Sequence, residues 1–120
     1  MVNTLEQVSV NEVFSTAHGA VYQDDAARCW VVDFGGKQAN YDYRCLLKLR
    51  DCLYRIDVEE KLLHNVSAPD VEIIFICACE HTYVLSLLQV IALRDLLQGT
   101  FVMLELNQII YNTLYRLPLN

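Results

Sequence analysis

The chain has 120 residues, of which 54% are hydrophobic and 20% are charged, with a formal net charge of −6 and a sequence pI near 4.8. This length suits one domain with a core of its own, so we expect a single domain over 1–120. The acidic balance argues against nucleic-acid binding, because such a surface needs clustered lysine and arginine to displace counterions. Most charged residues lie in the first half, which predicts that the second half is covered on more than one side.

The first elements are predicted to be an arm and a strand unit. Residues 1–17 have no firm hydrophobic period and are expected to form an N-terminal arm. Strands are predicted over 18–23 and 28–34, and Gly35-Gly36 then supplies the two positive-φ positions of a tight turn into a third strand. No phosphate-binding glycine pattern accompanies this turn, so its expected role is structural.

A helix is predicted next, followed by a second unit. Asn40 or Asp42 can cap a helix that carries leucines at 46, 49 and 53, and 58–64 is either a separate short helix or its bent continuation. The run V-E-I-I-F-I-C-A at 71–78 predicts a buried strand, and a strand over 81–85 leads into a long helix. We therefore place the first unit at 18–65, the second at 71–107 and a C-terminal tail at 108–120.

The stretch 86–106 predicts one long helix that is apolar on two faces. One stripe is expected to cover the protein's own sheet and consists of Val90, Leu93, Leu97, Phe101 and Leu104. The other predicts an interface with a second copy and consists of Leu88, Ala92, Leu96, Gly99 and Met103. Glycine costs about 1 kcal/mol in a helix interior, so close approach of a partner backbone would explain Gly99. The alternative is that Gly99 ends the helix and 100–106 is a strand; we favour the continuous helix.

The two units align with each other without gaps at an offset of 44 residues. L-K-L-R-D-C-L at 47–53 then falls on I-A-L-R-D-L-L at 91–97, strand falls on strand, and Gly35-Gly36 falls on the turn at 79–80. Agreement across three elements favours a duplicated strand-turn-strand-helix unit, although two amphipathic helices also share leucines by chance. The expected fold class is α+β: a mainly antiparallel sheet of about five strands with two principal helices on one face.

A strand that ends in Phe-Gly and runs through a tight turn to an L-x-x-L helix is seen here as V-V-D-F-G at 31–35 followed by 46–53. L-R-D-L-L at 93–97 and L-E-L at 104–106 stand in the second unit. In these features the chain resembles small uncharacterised bacterial α+β domains of the bacteroidete type. The resemblance covers about 19–110; it implies the fold and a bacterial source, and it implies no activity.

The five cysteines are odd in number and no secretion signal is recognisable, which predicts free thiols rather than a disulfide framework. On an extended strand Cys77, Cys79 and His81 would point to one face and offer ligands to zinc or copper. These ligands would lie along a line rather than around a tetrahedron, so ordinary core cysteines beside a turn histidine are favoured. We expect no metal or other cofactor.

Location and function are inferred from the absence of recognisable targeting segments and catalytic motifs. The uncharged stretch 82–93 ends at Arg94, too early for a membrane span, and the first residues lack a signal peptide, so we expect a cytoplasmic protein without a membrane partner. The chain has none of the common catalytic motifs, which favours a non-catalytic interaction domain that forms a homodimer through the long helix; any other protein partner is unknown. The alternative is a metal-binding or redox-sensing thiol site at Cys77, Cys79 and His81.

Overall fold

Four antiparallel strands open the fold and pair in the order in which they occur along the chain. The computed structural model describes residues 10–63, 71–76 and 81–116. The first sheet consists of β1 (Val10–Thr16), β2 (Gly19–Asp24), β3 (Cys29–Phe34) and β4 (Lys37–Tyr41). The following elements are α1 (Tyr43–Tyr54), α2 (Val58–Leu63), β5 (Val71–Ile76), β6 (His81–Ser86) and α3 (Leu87–Arg116).

Local sequence signals set the turns and helix starts. Gly35 and Gly36 have φ values of 63° and 76°, as the predicted two-residue hairpin requires. The Asp42 carboxylate accepts a hydrogen bond from the Cys45 N–H (2.7 Å) and thereby caps α1. At the start of α3 the Ser86 hydroxyl accepts from the Gln89 N–H while the Gln89 amide accepts from the Ser86 N–H, at 3.2 and 2.9 Å. This reciprocal pair is a capping box and fixes the point at which α3 begins.

The predicted α+β class with antiparallel pairing is confirmed, with one difference in the sheets. The described strands form a four-stranded sheet and a separate β5–β6 hairpin rather than one sheet of five. Side chains connect the hairpin to β4: the Tyr41 hydroxyl donates to the Tyr83 hydroxyl (2.8 Å), and Lys37 Nζ donates to the Thr82 carbonyl (3.2 Å). The hairpin is thus tied to the sheet edge without continuing its ladder.

One core joins both units. The helix α3 lies across β1 and β2, α1 lies over β3 and β4, and the two helices touch each other on the same face of the sheet. The predicted leucine stripes are the centre of this core, with Leu46, Leu49, Leu53, Val90, Leu93 and Leu97 fully buried. The sheet contributes Val21, Val32, Phe34, Ala39 and Tyr41. Phe101 and Leu104, also predicted for this face, are partly buried at its edge.

The second strand and the helix of each unit recur at the predicted offset, whereas the first strands, β3 and β5, begin 42 residues apart. β4 and β6 begin at 37 and 81, and α1 and α3 begin at 43 and 87, so both pairs are 44 residues apart. The caps Asp42 and Ser86 are separated by the same distance along the chain. Core leucines 46, 49 and 53 likewise correspond to buried positions 90, 93 and 97.

The long helix differs from its prediction at its C-terminal end. It passes through Gly99 without a break, which confirms the continuous helix over the strand alternative, but it ends at Arg116 rather than near Leu106. The segment 108–116, expected to be part of a tail, is therefore helical. The expected N-terminal arm also contains a full sheet strand, β1, because Phe14 packs against the core.

The length of α3 gives the molecule a body and a projection. The Cα radius of gyration is 17.0 Å, against about 14 Å for a compact chain of this length, and the principal extents are 65 × 39 × 28 Å. Within the described residues, 87–114 form a helix long and apolar enough to cross a membrane by length and composition alone. The sequence estimate stopped at Arg94 and so missed this length. One third of the most apolar 18-residue stretch within this helix is buried inside the fold.

Candidate functional site

The two halves of α3 lie in different surroundings. In the first half, residues 87–101, the buried side chains are Leu87, Val90, Leu93, Leu96, Leu97 and Thr100. In the second half, residues 102–116, which we call the arm, none of the described side chains is buried. Six large apolar residues of the arm are 44–60% exposed: Val102, Leu106, Ile109, Ile110, Tyr111 and Leu114. Within the described residues, the arm is thus an apolar helix that its own fold leaves largely exposed.

The exposed surface of the arm is nearly uncharged. Glu105 and Arg116 are its only charged residues, and its remaining polar residues are amides and one threonine. The Gln108 amide donates to the Asn112 side-chain oxygen one turn later (3.2 Å). Two such surfaces can approach each other without charge repulsion, even though the whole chain carries a net charge of −6.

Two of the five predicted interface residues are used by the chain's own fold. Leu96 is fully buried in the core. A side chain added at Gly99 would collide with the ring of Phe14, so the close approach that explains this glycine comes from β1 of the same chain and not from a partner. Leu96 and Gly99 therefore do not face outward as predicted, because the first sheet, whose strand β1 was predicted to be a loose segment, lies against this side of the helix.

The remaining three predicted interface residues do not form one continuous patch. Leu88 is 76% exposed near the start of α3, whereas Ala92 and Met103 are partly buried. The exposed carboxylate residue Asp95 lies between Leu88 and the arm on the helix surface. The larger apolar surface begins at Val102, near the last predicted interface residue.

A groove runs along one side of the arm, and of the six exposed apolar residues only Ile109 and Tyr111 line it. Its volume is about 710 Å³, and it lies between β2, β3, the start of α1 and the base of the arm. Its aromatic lining is stepped: the ring centroids of Trp30 and Tyr43 are 5.6 Å apart, and those of Tyr43 and Phe101 are 6.2 Å apart. The Arg50 guanidinium lies 4.8 Å from the centre of the Phe101 ring at the end of this row. Ile109 and Tyr111 of the arm complete the wall.

Trp30, one of the residues that line the groove, has a buried polar atom without a partner. Trp30 Nε1 is buried and makes no hydrogen bond within the part of the chain that the structure describes. Leaving a buried N–H donor unpaired costs about 1–3 kcal/mol, because its hydrogen bond to water is lost and not replaced.

The Arg-Asp pair that recurs in both units has a structural role. Arg50 of α1 lies over Phe101 of α3, and Arg94 of α3 lies over Tyr54 of α1, with its guanidinium carbon 5.4 Å from the ring centre. Each helix therefore places its arginine on an aromatic ring of the other. These contacts strengthen the packing of α1 against α3, and they agree with the expectation of a repeated surface feature.

The predicted metal or thiol site is described only at His81, since Cys77 and Cys79 lie outside the described residues. His81 Nε2 donates to the Asn40 carbonyl (2.9 Å), and its ring lies 4.8 Å from that of Tyr41. This places His81 in the junction between β4 and β6. Among the described residues no group of three metal-ligating side chains occurs, and the site with both cysteines stays a prediction.

The other cysteines divide into two kinds. Cys29 and Cys52 are free thiols, as predicted. Cys45 is disulfide-bonded, so the expectation of free thiols throughout is wrong at this position. Partial burial, with the nearby Asp24 carboxylate, raises the pKa of the Cys29 thiol above its ordinary value. A raised pKa lowers the thiolate fraction at neutral pH and argues against Cys29 as a nucleophile.

Two tyrosines form the most buried polar contact between the sheet and the hairpin. Tyr41 and Tyr83 are 1% and 4% exposed, and their hydroxyl groups share the hydrogen bond that links β4 to β6. Burial raises the pKa of both hydroxyl groups above the ordinary tyrosine value. Both are therefore neutral at physiological pH, and their role is to hold the hairpin in place.

Compared with known proteins, the chain matches no family model, no curated protein and no solved structure. Function is therefore argued from the arm and the groove. Sequence reasoning missed both. The apolar residues at 106, 109, 110 and 114 were a visible signal at helical spacing, but the helix was ended too early to include them.

Proposed function

We propose that this protein is a soluble, non-catalytic interaction domain that forms a homodimer through the arm. The observation that carries the proposal is the set of six large apolar side chains that are about half exposed on a nearly neutral helix. A monomeric soluble protein rarely leaves more than a few hundred Å² of contiguous apolar surface in water. Self-association is the arrangement in which each copy covers this surface of the other.

The size of the arm suits a dimer interface. At 1.5 Å per residue the helix over 102–116 is about 22 Å long. A stable interface buries about 800 Å² on each partner. Burying a large aliphatic side chain contributes about 1.5–3 kcal/mol, so a few of these residues are enough to offset the cost of association.

A membrane is the less favoured partner for the same surface. The first half of α3 is part of the protein core, and the arm alone is shorter than the roughly 20 residues that a bilayer span needs. Helices that lie on a membrane surface are rich in lysine and arginine, whereas α3 has neither between Arg94 and Arg116. The acidic net charge also disfavours an anionic bilayer.

The non-catalytic part of the proposal rests on the chemistry of the described polar groups. The Cys29 thiol has a raised pKa, the buried tyrosines are neutral, and the ring of His81 donates to a backbone carbonyl. The described residues that line the groove are largely apolar and aromatic and include no serine, cysteine or histidine that could act as a nucleophile or a base. Binding is the activity that this surface favours.

Sedimentation equilibrium over a range of concentrations tests the proposal. The wild-type chain is expected to be a dimer that dissociates on dilution. The double substitution Leu106→Gln with Ile110→Gln removes two apolar contacts and should raise the dissociation constant by about 100-fold or more. The matched control Val84→Gln with Leu88→Gln changes two exposed apolar residues outside the arm. This control should leave the dissociation constant unchanged.

Two results would contradict the proposal. One is a wild-type chain that stays monomeric at every concentration. The other is a dimer that is weakened by the Val84 and Leu88 substitutions and not by those at Leu106 and Ile110. The second result would return the interface to the start of α3, where Leu88 was predicted to contribute.

We also propose that the protein is cytoplasmic. The free thiols of Cys29 and Cys52 favour a reducing compartment, whereas the disulfide at Cys45 is typical of an oxidising one. Rapid alkylation of thiols in intact cells, followed by mass spectrometry, decides between them. In a cytoplasmic protein the two free thiols, Cys29 and Cys52, should be alkylated in nearly every molecule, and finding both of them oxidised in the cell would contradict the location.

A further inference from the structure

Five of the six exposed apolar residues of the arm form one stripe, on the side of α3 that faces away from the core. Successive residues of an α-helix are turned by about 100°, so Leu106 lies about 180° from the fully buried Leu97 around the helix axis. The members of the stripe recur three or four residues apart, which is the spacing of one helix face. They are Val102, Leu106, Ile109, Ile110 and Leu114.

The stripe and the groove lie on different sides of the arm. Leu104 and Tyr111 line the groove, and each is turned by about 140–160° from Leu106 around the helix axis. Ile109, at one border of the stripe, is its only member that also lines the groove. A helix that covers the stripe therefore approaches from the side opposite the body and leaves the groove open.

The two charged residues of the arm border the same edge of the stripe, which we call the charged edge. Glu105 is exposed and precedes Ile109 by one turn, so it lies beside the stripe on the helix surface. Arg116 follows Glu105 after 11 positions, which places it about 20° away around the helix and about 17 Å further along it. The opposite edge, at Asn107 and Leu114, carries no charge.

This arrangement of charges distinguishes the two ways in which a pair of arms can align. In a parallel pair the two-fold axis runs along the helices, so the charged edge of one arm meets the uncharged edge of the other. In an antiparallel pair the axis is perpendicular to the helices, and the two charged edges meet. With the axis at the level between Ile110 and Tyr111, Glu105 of each copy lies opposite Arg116 of the other, because both residues are equally far from that level. Opposite charges beside an apolar seam favour one orientation of a helix pair.

We propose that the arms of two copies pair antiparallel through this stripe, with Glu105 of each copy opposite Arg116 of the other. The inference rests on the proposed self-association and adds the orientation of the partner and the residues that select it. At the same alignment Ile110 of one copy lies beside Ile110 of the other, and Leu106 comes within one residue of the level of Leu114 in the partner. The apolar stripe supplies the affinity, and the two charge pairs select the orientation.

Charge substitutions test this orientation. Glu105→Arg places two positive charges opposite each other twice in each antiparallel dimer, and it should raise the dissociation constant about tenfold at low salt concentration. The double substitution Glu105→Arg with Arg116→Glu exchanges the two charges and should restore the wild-type value. Sedimentation equilibrium measures the variants, and circular dichroism checks that each is folded.

The matched control is Glu60→Arg, which makes the same change in net charge at an exposed residue of α2, outside the arm. This control should leave the dissociation constant unchanged. Raising the salt concentration should narrow the difference between wild type and Glu105→Arg, because exposed charges are screened.

Intermolecular nuclear Overhauser effects measure the alignment without any substitution, in a sample that mixes isotope-labelled and unlabelled copies. Antiparallel arms should give contacts between the methyl groups of Leu106 in one copy and those of Leu114 in the other. Leu106 of one copy should give none with Leu106 of the other, since these residues are then about 13 Å apart along the helix axis. Parallel arms would give the reverse.

The outcomes separate this inference from the proposal on which it rests. A dimer with contacts between the two copies of Leu106 overturns the antiparallel pairing and leaves self-association standing. A dimer that Glu105→Arg weakens no more than Glu60→Arg does, or that the exchange of charges fails to restore, overturns the charge pairs in the same way. A chain that is monomeric at all concentrations overturns both.

Discussion

The two hairpin–helix units begin alike and end differently. Their helices start 44 residues apart, behind the caps Asp42 and Ser86, and both bury the same three positions of the first turns. The first helix, α1, then ends after 12 residues at Tyr54, whereas α3 continues to a total of 30. Among the described residues, the fully buried side chains of α3 therefore all lie in its first half.

The exposed surfaces of the two helices differ in the same way. α1 presents Arg44, Lys48 and Asp51 to solvent, as expected of a helix that covers a core on one face only. The continuation of α3 presents Leu106, Ile109 and Ile110 instead. The arm is therefore an extension beyond the part of α3 that forms the core, and its exposed apolar residues are the reason for the binding role that we propose.

The largest expected effect tests whether the two units contribute equally to the core. Leu49 and Leu93 occupy equivalent positions and both are fully buried. Leu49→Ala and Leu93→Ala should each lower the free energy of unfolding by about 2–5 kcal/mol, because each leaves a cavity in the shared core. Urea denaturation measures both. A cost below about 1 kcal/mol for either variant would show that only one unit forms the core.

The next effect concerns the hydroxyl pair that joins the second hairpin to the first sheet. Tyr83→Phe would leave the buried Tyr41 hydroxyl without its acceptor and should destabilise the protein by about 1–3 kcal/mol. The double variant Tyr41→Phe with Tyr83→Phe removes both partners and should cost less than the single one. Thermal unfolding measures the three proteins, and a double variant that is much less stable than Tyr83→Phe would contradict this explanation.

The same pair predicts how stability depends on alkaline pH. Because the pKa of both hydroxyl groups is raised by folding, their contribution is complete below the unfolded tyrosine pKa of about 10 and is lost as the pH rises above it. Unfolding free energies measured between pH 8 and pH 11.5 should fall above pH 10 in the wild type. The fall should be smaller in the double phenylalanine variant, and an equal fall would rule out the tyrosines as its cause.

A smaller effect is expected at Gly99, near the end of the buried half of α3, and its sign depends on whether Phe14 is present. Gly99→Ala gains about 1 kcal/mol of helix propensity but forces the new methyl group against Phe14. Overpacking costs about 1–3 kcal/mol, so the net change should be destabilising. In a Phe14→Ala background the same substitution should stabilise the protein, and a double-mutant cycle in urea measures the coupling. Destabilisation in both backgrounds would contradict Phe14 as the reason for this glycine.

The smallest expected effect contrasts the two halves of one helix. Ile110→Ala on the arm should change the unfolding free energy of the monomer by less than about 0.5 kcal/mol, since its side chain is already half exposed. The measurement is made at protein concentrations below the dimer midpoint. A loss as large as that of Leu93→Ala would mean that the arm packs against its own body.

Much of this fold could be predicted because its local signals agree with its packing. The glycine pair at 35–36, the cap at Asp42 and the leucine stripe at 46, 49 and 53 each specify one element from nearby residues alone. The 44-residue offset carried the same pattern into the second unit. These are short-range relations, and the structure preserves them.

The predicted interface failed where a long-range contact decides the outcome. Leu96 and Gly99 lie on the second apolar stripe of the helix, and nothing in the neighbouring sequence shows that β2 approaches Leu96 and β1 approaches Gly99. Phe14 is more than 80 residues away in sequence and lies in a segment without a clear period. The groove could not be predicted for the same reason, since Trp30, Tyr43 and Phe101 come from three separate elements.

Amide hydrogen exchange along α3, at protein concentrations below and above the dimer midpoint, tests the binding role of the arm most directly. An isolated helix of this length is only marginally stable in water, so an unpartnered arm should exchange quickly while the first half is protected by the core. We predict that residues 87–101 are protected at every concentration and that 102–116 become protected only as the dimer forms. Fast exchange of 102–116 at all concentrations would show that the arm has no partner in a second copy.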